Sequence, residues 1–218
     1  MAGAPGAPED VGMSSRFRRR AVLAALVGIP VAALVPAAIA LWPRERTPAA
    51  PVRLPPTPSC GNGKDAAATA AAETGPYYTP GAPMRTSLLE SGLEGERLVL
   101  SGVVWTPACR PVPGALLDFW HADDQGEYDN SGFRLRGRQK TDAAGAFRLE
   151  TIMPAEYGNR TRHIHVKVTA PGKDELTTQL FFPEEERNGR DALFRPDLVL
   201  RDLRRGPAGY EARFTFVV

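Results

Sequence analysis

The first residues able to do chemistry are two histidines one residue apart, in Arg162-His163-Ile164-His165-Val166-Lys167-Val168. Ile164, Val166 and Val168 alternate with His163, His165 and Lys167. A strand here would send the apolar set to one face and the polar set to the other. On a strand, side chains at that spacing share a face and can hold one ion. On a helix the same spacing would splay them by roughly 200°. Taken alone, the pair has two readings: a chelating pair, or two surface histidines on an edge strand.

Other donors decide what such a pair could hold. Zinc would call for a cysteine, a third histidine or a well-placed carboxylate. The third histidine, His121, lies far upstream in Trp120-His121-Ala122-Asp123 and is expected to be structural. The two cysteines, Cys60 and Cys109, form no Cys-x-x-Cys pair, which argues against a thiolate zinc site. Two tyrosines stand out instead. Tyr128 sits in the turn Gln125-Gly126-Glu127-Tyr128-Asp129, and Tyr157 sits in Pro154-Ala155-Glu156-Tyr157-Gly158-Asn159-Arg160. Each alone also reads as a half-buried aromatic. A free tyrosine has a pKa of about 10, so only a strong Lewis acid keeps it as phenolate at neutral pH. Two phenolates and two neutral imidazoles would leave a single net positive charge on a ferric ion, which one hydroxide neutralises. Such a set favours Fe(III) over Fe(II).

The elements that must position these residues follow from the rest of the pattern. Short β-rich runs separated by turns begin at Arg97. Strands are expected near residues 98–105, 115–121, 134–141, 147–152, 163–169, 176–182, 198–201 and 210–217, with Asp142-Ala143-Ala144-Gly145 as a turn. About eight strands with no long helical pattern between them predict an all-β, antiparallel sandwich. The alanine run within residues 64–73 is expected to form a short helix.

Upstream, the chain changes character. Arg16, Arg18, Arg19 and Arg20 precede an uncharged stretch over 21–42, close to the ~20 residues that span a bilayer. Residues 1–42 therefore read as an export signal or a membrane anchor, with cleavage after Ala38-Ile39-Ala40 or retention as the two outcomes. Arg19-Arg20-Ala21-Val22-Leu23 is similar to a twin-arginine signal. A proline-rich linker over 43–58 follows, and the catalytic-type domain is expected over 59–218. The rest of the chain is thus expected outside the cytoplasm, periplasmic, extracellular or anchored facing outward. There, Cys60 and Cys109 are candidates for a disulfide. The net charge of +2, from 27 basic and 25 acidic residues, gives no case for a nucleic-acid partner. The sequence leaves a homo-oligomer open.

Together these residues resemble a known signature. Gly114-Ala115, Trp120-His121-Ala122-Asp123, Gly126-Glu127-Tyr128, Arg136-Gly137, Thr141-Asp142, Gly145, Thr151-Ile152-Met153-Pro154, Tyr157, Arg160, His163-Ile164-His165 and Thr178-Gln179 occur in the order found in the intradiol ring-cleavage dioxygenases. The likeness runs from about Gly75 to the C-terminus. The short interval between Tyr157 and Arg160 resembles the exported, protocatechuate 3,4-dioxygenase-like branch. The long helical N-terminal region of the catechol 1,2-dioxygenases has no counterpart. The resemblance implies an Fe(III) cofactor held by Tyr128, Tyr157, His163 and His165. It implies Arg160 and Tyr157 as catalytic residues and a substrate side formed by Tyr77, Tyr78, Arg160 and Gln179. It implies as reaction the cleavage of a catechol-type ring by O2 between its two hydroxylated carbons, to a cis,cis-muconate. Two other classes compete: a metal-free exported β-sandwich binding module, and a zinc hydrolase using His163, His165 and a carboxylate such as Glu156.

Overall fold

The computed structural model describes residues 66–218. The segment over 1–42 expected to direct export, the expected linker over 43–58 and Cys60 lie outside the described residues. Eight strands run β1 Arg97–Trp105, β2 Leu116–Trp120, β3 Arg136–Lys140, β4 Ala146–Ile152, β5 His163–Thr169, β6 Leu176–Phe181, β7 Arg201–Gly206 and β8 Gly209–Val217. They form two four-stranded sheets, in the orders β4-β1-β8-β7 and β3-β2-β5-β6. The expected sandwich is thus present, with one departure from an antiparallel arrangement: β1 and β8 pair in parallel.

Alternation builds the core. Leu98 and Leu100 of β1, Phe147 and Leu149 of β4, and Ala212, Phe214 and Phe216 of β8 are buried in the same cluster as Leu117 and Phe119 of β2 and Ile164, Val166 and Val168 of β5. Both sheets therefore close on one apolar interior, whose burial is the main stabilising term. The other face of β3-β2-β5-β6 is free to carry polar side chains, and it carries the site.

Two expectations fail. No helix forms over residues 66–73. That segment runs as an extended strap, with Ala66 N donating to Pro107 O, Thr69 N to Val217 O and Ala72 N to Thr177 O. Helix propensity is a weak prior, and the backbone finds partners on both sheets instead. The strand expected at 198–201 is also displaced. Pro196–Leu198 is a 3-10 turn, and Leu198 and Leu200 are buried. Leu200 N donates to Phe181 O, so this apolar run plugs the β6 side of the core. The strand proper, β7, comes later, at an exposed sheet edge.

Candidate metal and substrate site

One transverse row of the second sheet holds four polar or aromatic side chains together. In register across β3, β2, β5 and β6 stand Arg136, Trp120, His165 and Gln179. Trp120 and His165 stack almost parallel, with ring centroids 4.7 Å apart and 6° between planes. The backbone of Gly75 approaches the same imidazole. A Cβ there would sit 3.4 Å from His165 Cε1, and the residue has φ +69°. Glycine suits that left-handed backbone and close approach.

His163 lies two residues earlier on β5 and on the same face. Its Nδ1 is 2.6 Å from Thr161 O, which can only accept, so the proton is on Nδ1 and the lone pair on Nε2. That Nε2 lies 3.1 Å from Nε2 of His165. Two donors about 2.1 Å from one ion in neighbouring positions sit about 3 Å apart. Burial pushes His163 down to about 4, against the hydrogen bond to Thr161. Burial, and then the neighbouring His163, hold His165 well below the ordinary imidazole range. Both rings are therefore neutral at neutral pH, with lone pairs available.

Two loops deliver the tyrosines. Asp123 Oδ1 accepts the backbone N–H groups of Gln125 and Glu127, which turns the chain just before Tyr128. Asp129 Oδ1 accepts those of Ser131 and Gly132, and its Oδ2 that of Arg134, which turns it again just after. These hydrogen bonds hold the Asp129 carboxyl down at about 2. The Tyr128 loop then locks onto the Tyr157 loop. At Gly126, φ +86°, a Cβ would lie 2.4 Å from Glu156 O, a contact only glycine permits. Arg136 braces the arrangement from the sheet, donating through Nε and Nη2 to Asp129 O and through Nη1 to Tyr77 O.

The rings converge as a result. Tyr128 and Tyr157 meet edge to face with centroids 5.5 Å apart. Tyr128 lies 6.3 Å from His165, and Tyr157 lies 6.2 Å from His163. Tyr77 stacks on Tyr128 at 4.5 Å. Tyr128 is buried, and its hydroxyl has no protein hydrogen-bond partner. Burial, and then Tyr157, push that phenol above its ordinary range. Tyr157 is half-buried and borders a cleft of about 240 Å3 with Tyr77, Tyr128 and Gly158. Among the described residues no cluster of three His, Cys, Asp or Glu side chains could hold a metal. The rings of Tyr128 and Tyr157 are neighbours of the histidine pair. A buried hydroxyl without a partner, beside two imidazole lone pairs, fits a highly charged, oxygen-loving cation.

Arg160 and Gln179 come together next to this cluster. Arg160 Nη2 donates to Gln179 Oε1 at 2.5 Å, and Gln179 Nε2 donates to Glu73 O at 2.7 Å. Tyr78 does not join Tyr77 at the tyrosine pair. Its hydroxyl donates to Asp118 at 3.0 Å, and its ring packs on Trp120, 4.8 Å below Lys167 Nζ. Burial, followed by Asp118, raises it to about 12. Tyr78 therefore backs Trp120. His121 is satisfied at both nitrogens, by Ala122 O and Thr151 Oγ1, each at 2.7 Å. It takes no part in the site. Cys109 is disulfide-bonded.

Sequence reasoning missed Trp120, Arg136 and Asp191. The first two are brought in by cross-strand register, and Asp191 by a hydrogen bond to Arg160 from 31 positions away. For Asp123 and Asp129 a signal existed: aspartate ahead of Gly or Ser at turn spacing.

Comparisons with known proteins agree with this geometry. The family model described as "Dioxygenase" (Dioxygenase_C) matches residues 73–201, more than half of the chain. The catechol 1,2-dioxygenase of Acinetobacter baylyi is 32% identical over 135 residues, covering 49% of this chain and 43% of that protein. The hydroxyquinol 1,2-dioxygenase of Nocardioides simplex is 29% identical over 167 residues, covering 65% and 57%. The chain thus spans about half the length of these curated relatives. Among solved structures, the dioxygenase domain of a dioxygenase carbohydrate-binding protein fusion from Streptomyces sp. SirexAA-E is 51% identical. It aligns with a TM-score of 0.68 over 70% of this chain and 98% of that one. The 3-chlorocatechol 1,2-dioxygenase of Rhodococcus opacus 1CP is 28% identical, with a TM-score of 0.63 over 68% and 71%. With the matched region running from the Gly75 strap through the histidine strand and the Asp191 loop, the chain belongs to the intradiol ring-cleavage dioxygenase family, whose members use non-haem iron.

Proposed function

We propose that this chain is a non-haem Fe(III) dioxygenase that opens a catechol-type ring between its two hydroxylated carbons with O2, giving a cis,cis-muconate. One observation carries the reading. Tyr128, Tyr157, His163 and His165 converge on one spot, with the histidine Nε2 atoms 3.1 Å apart and the buried Tyr128 hydroxyl lacking a protein partner. These four side chains would hold the metal. When bound, ferric iron supplies Lewis acidity, drawing electron density from a catecholate and making its ring reactive toward O2. The names of the relatives, catechol, hydroxyquinol and chlorocatechol 1,2-dioxygenase, support that substrate class.

The chain's own residues have distinct tasks. His163 keeps its tautomer through Thr161 O, and His165 keeps its ring plane through Trp120. Tyr128 is buried and fixed between two aspartate-built turns. Tyr157 is half-buried at the cleft. Facing that cleft, it would be the one to accept a substrate hydroxyl proton at its Oη. Arg160 is a fixed cation beside the cluster and stabilises negative charge developing on the ring. The same reading has the domain exported by residues 1–42, supported by the arginine cluster ahead of the uncharged stretch.

The test is oxygen uptake by the iron-loaded chain with catechol, protocatechuate and hydroxyquinol, following the muconate. The parent is expected to turn over at least one of them. Arg160→Ala should keep its iron, since a guanidinium has no lone pair to give, and lose about 10²–10³ in rate. Full turnover by Arg160→Ala overturns the role of Arg160. An iron-loaded parent that opens none of the three overturns the activity.

A further inference from the structure

We infer that Asp191 is the positioning residue that aims Arg160, clamping its guanidinium so that one edge is left for substrate; the inference rests on the activity proposed above. The Asp191 carboxylate is fully enclosed, its side chain 1% exposed. Oδ1 accepts Arg160 Nε at 3.1 Å and Leu193 N at 2.9 Å. Oδ2 accepts Arg160 Nε at 2.9 Å and Thr161 N at 2.9 Å. The same carboxylate therefore holds the arginine side chain and the backbone of the next residue, two positions before His163. Nη2 is held by Gln179 Oε1, and Gln179 is in turn held by Glu73 O on the strap. Among the described residues Nε and one Nη2 N–H are committed, which leaves the second Nη2 N–H and the Nη1 N–H groups to meet a ligand.

Stability alone does not account for this arrangement. A buried ion pair is weak evidence for stability, because desolvation offsets most of the attraction. Aim is a different matter. An arginine side chain has several soft torsions and loses much rotamer freedom when fixed. A charge that stabilises a transition state must stand where the negative charge appears, and a displacement of about 1 Å can cost about a hundredfold in rate. Asp191 fixes Arg160 at Nε, the nitrogen closest to the backbone, and so sets the plane and direction of the whole fork.

Asp191→Asn changes charge and little else in volume, and is measured in the iron-loaded chain. Iron content and the visible tyrosinate-to-iron band should match the parent. With catechol, kcat should fall about a hundredfold with KM little changed. Added to Arg160→Ala, the same change should cost no further kcat, because the side chain it aims is gone. Thermal melts supply a second readout. Arg160→Ala leaves a buried carboxylate uncompensated, so adding Asp191→Asn should raise the melting temperature. Arg160→Lys keeps a positive charge but gives up the Nε anchor, and should lose turnover like Asp191→Asn. Parent-like kcat in Asp191→Asn overturns the inference, as do independent, multiplying losses in the double variant. Full turnover in Arg160→Lys overturns it even where Asp191→Asn does not fold. An iron-loaded parent that opens no catechol removes the activity and this inference together. The melting-temperature recovery would survive that outcome, which separates the two failures.

Discussion

At the scale of single residues, the two tyrosines are not equivalent. Tyr128 is buried, stacked by Tyr77 and fixed by turns on either side, whereas Tyr157 is half-buried at a cleft. Tyr157→Phe keeps the ring and its edge-to-face contact with Tyr128 and removes only the donor oxygen. The fold should survive, with a stability change of about 1 kcal/mol or less. Iron affinity and the charge-transfer band should both fall, as read by metal analysis and visible absorption after dialysis. A Tyr157→Phe chain that retains full iron and an unchanged band would remove Tyr157 from the ligand set. The histidine pair was legible from strand alternation, whereas Tyr128 and Tyr157, each alone a half-buried aromatic, were legible as ligands only through the order of the family signature. Asp191 was not legible. Nothing near it in sequence marks an aspartate 31 positions from the arginine it holds.

At the scale of elements, period-two alternation is the signal that survived folding. β5 alternates cleanly and occupies His163–Thr169, as the pattern predicts. β7 does not alternate. Its residues, Arg201-Asp202-Leu203-Arg204-Arg205-Gly206, form a mostly exposed edge from which Leu203 packs against the core, while the apolar run just before it packs beside Phe181. Hydrophobicity marked the plug and missed the strand. The parallel pairing of β1 with β8 was invisible for another reason. Alternation says which face of a strand is buried, but nothing about which strand lies beside it or in which direction. The same blindness hid Trp120 and Arg136, which reach the site by lying in register with His165 across the sheet. The strap over residues 66–73 shows local propensity losing to tertiary hydrogen bonds. Thr178 Oγ1 donates to Ala70 O and Gln179 Nε2 to Glu73 O, so the strap is held by β6.

At the scale of the whole molecule, the proposed export and the proposed metal centre make separate claims. Cys109 is disulfide-bonded, and Cys60 is the chain's other cysteine. Their pairing would close a loop of about 50 residues and contribute about 4 kcal/mol on the chain-entropy account. Neither thiol should react with an alkylating agent in unreduced, denatured protein, and reduction should lower the melting temperature. Alkylation of both would end that proposal without touching the metal centre. The central claim is that two phenolates and two imidazoles, held by the row Arg136, Trp120, His165 and Gln179 and by two locked loops, bind ferric iron. Metal analysis of the purified chain together with its visible spectrum tests it most directly. The account predicts about one iron per chain and a tyrosinate-to-iron charge-transfer colour; a colourless protein carrying stoichiometric zinc and no iron would contradict it.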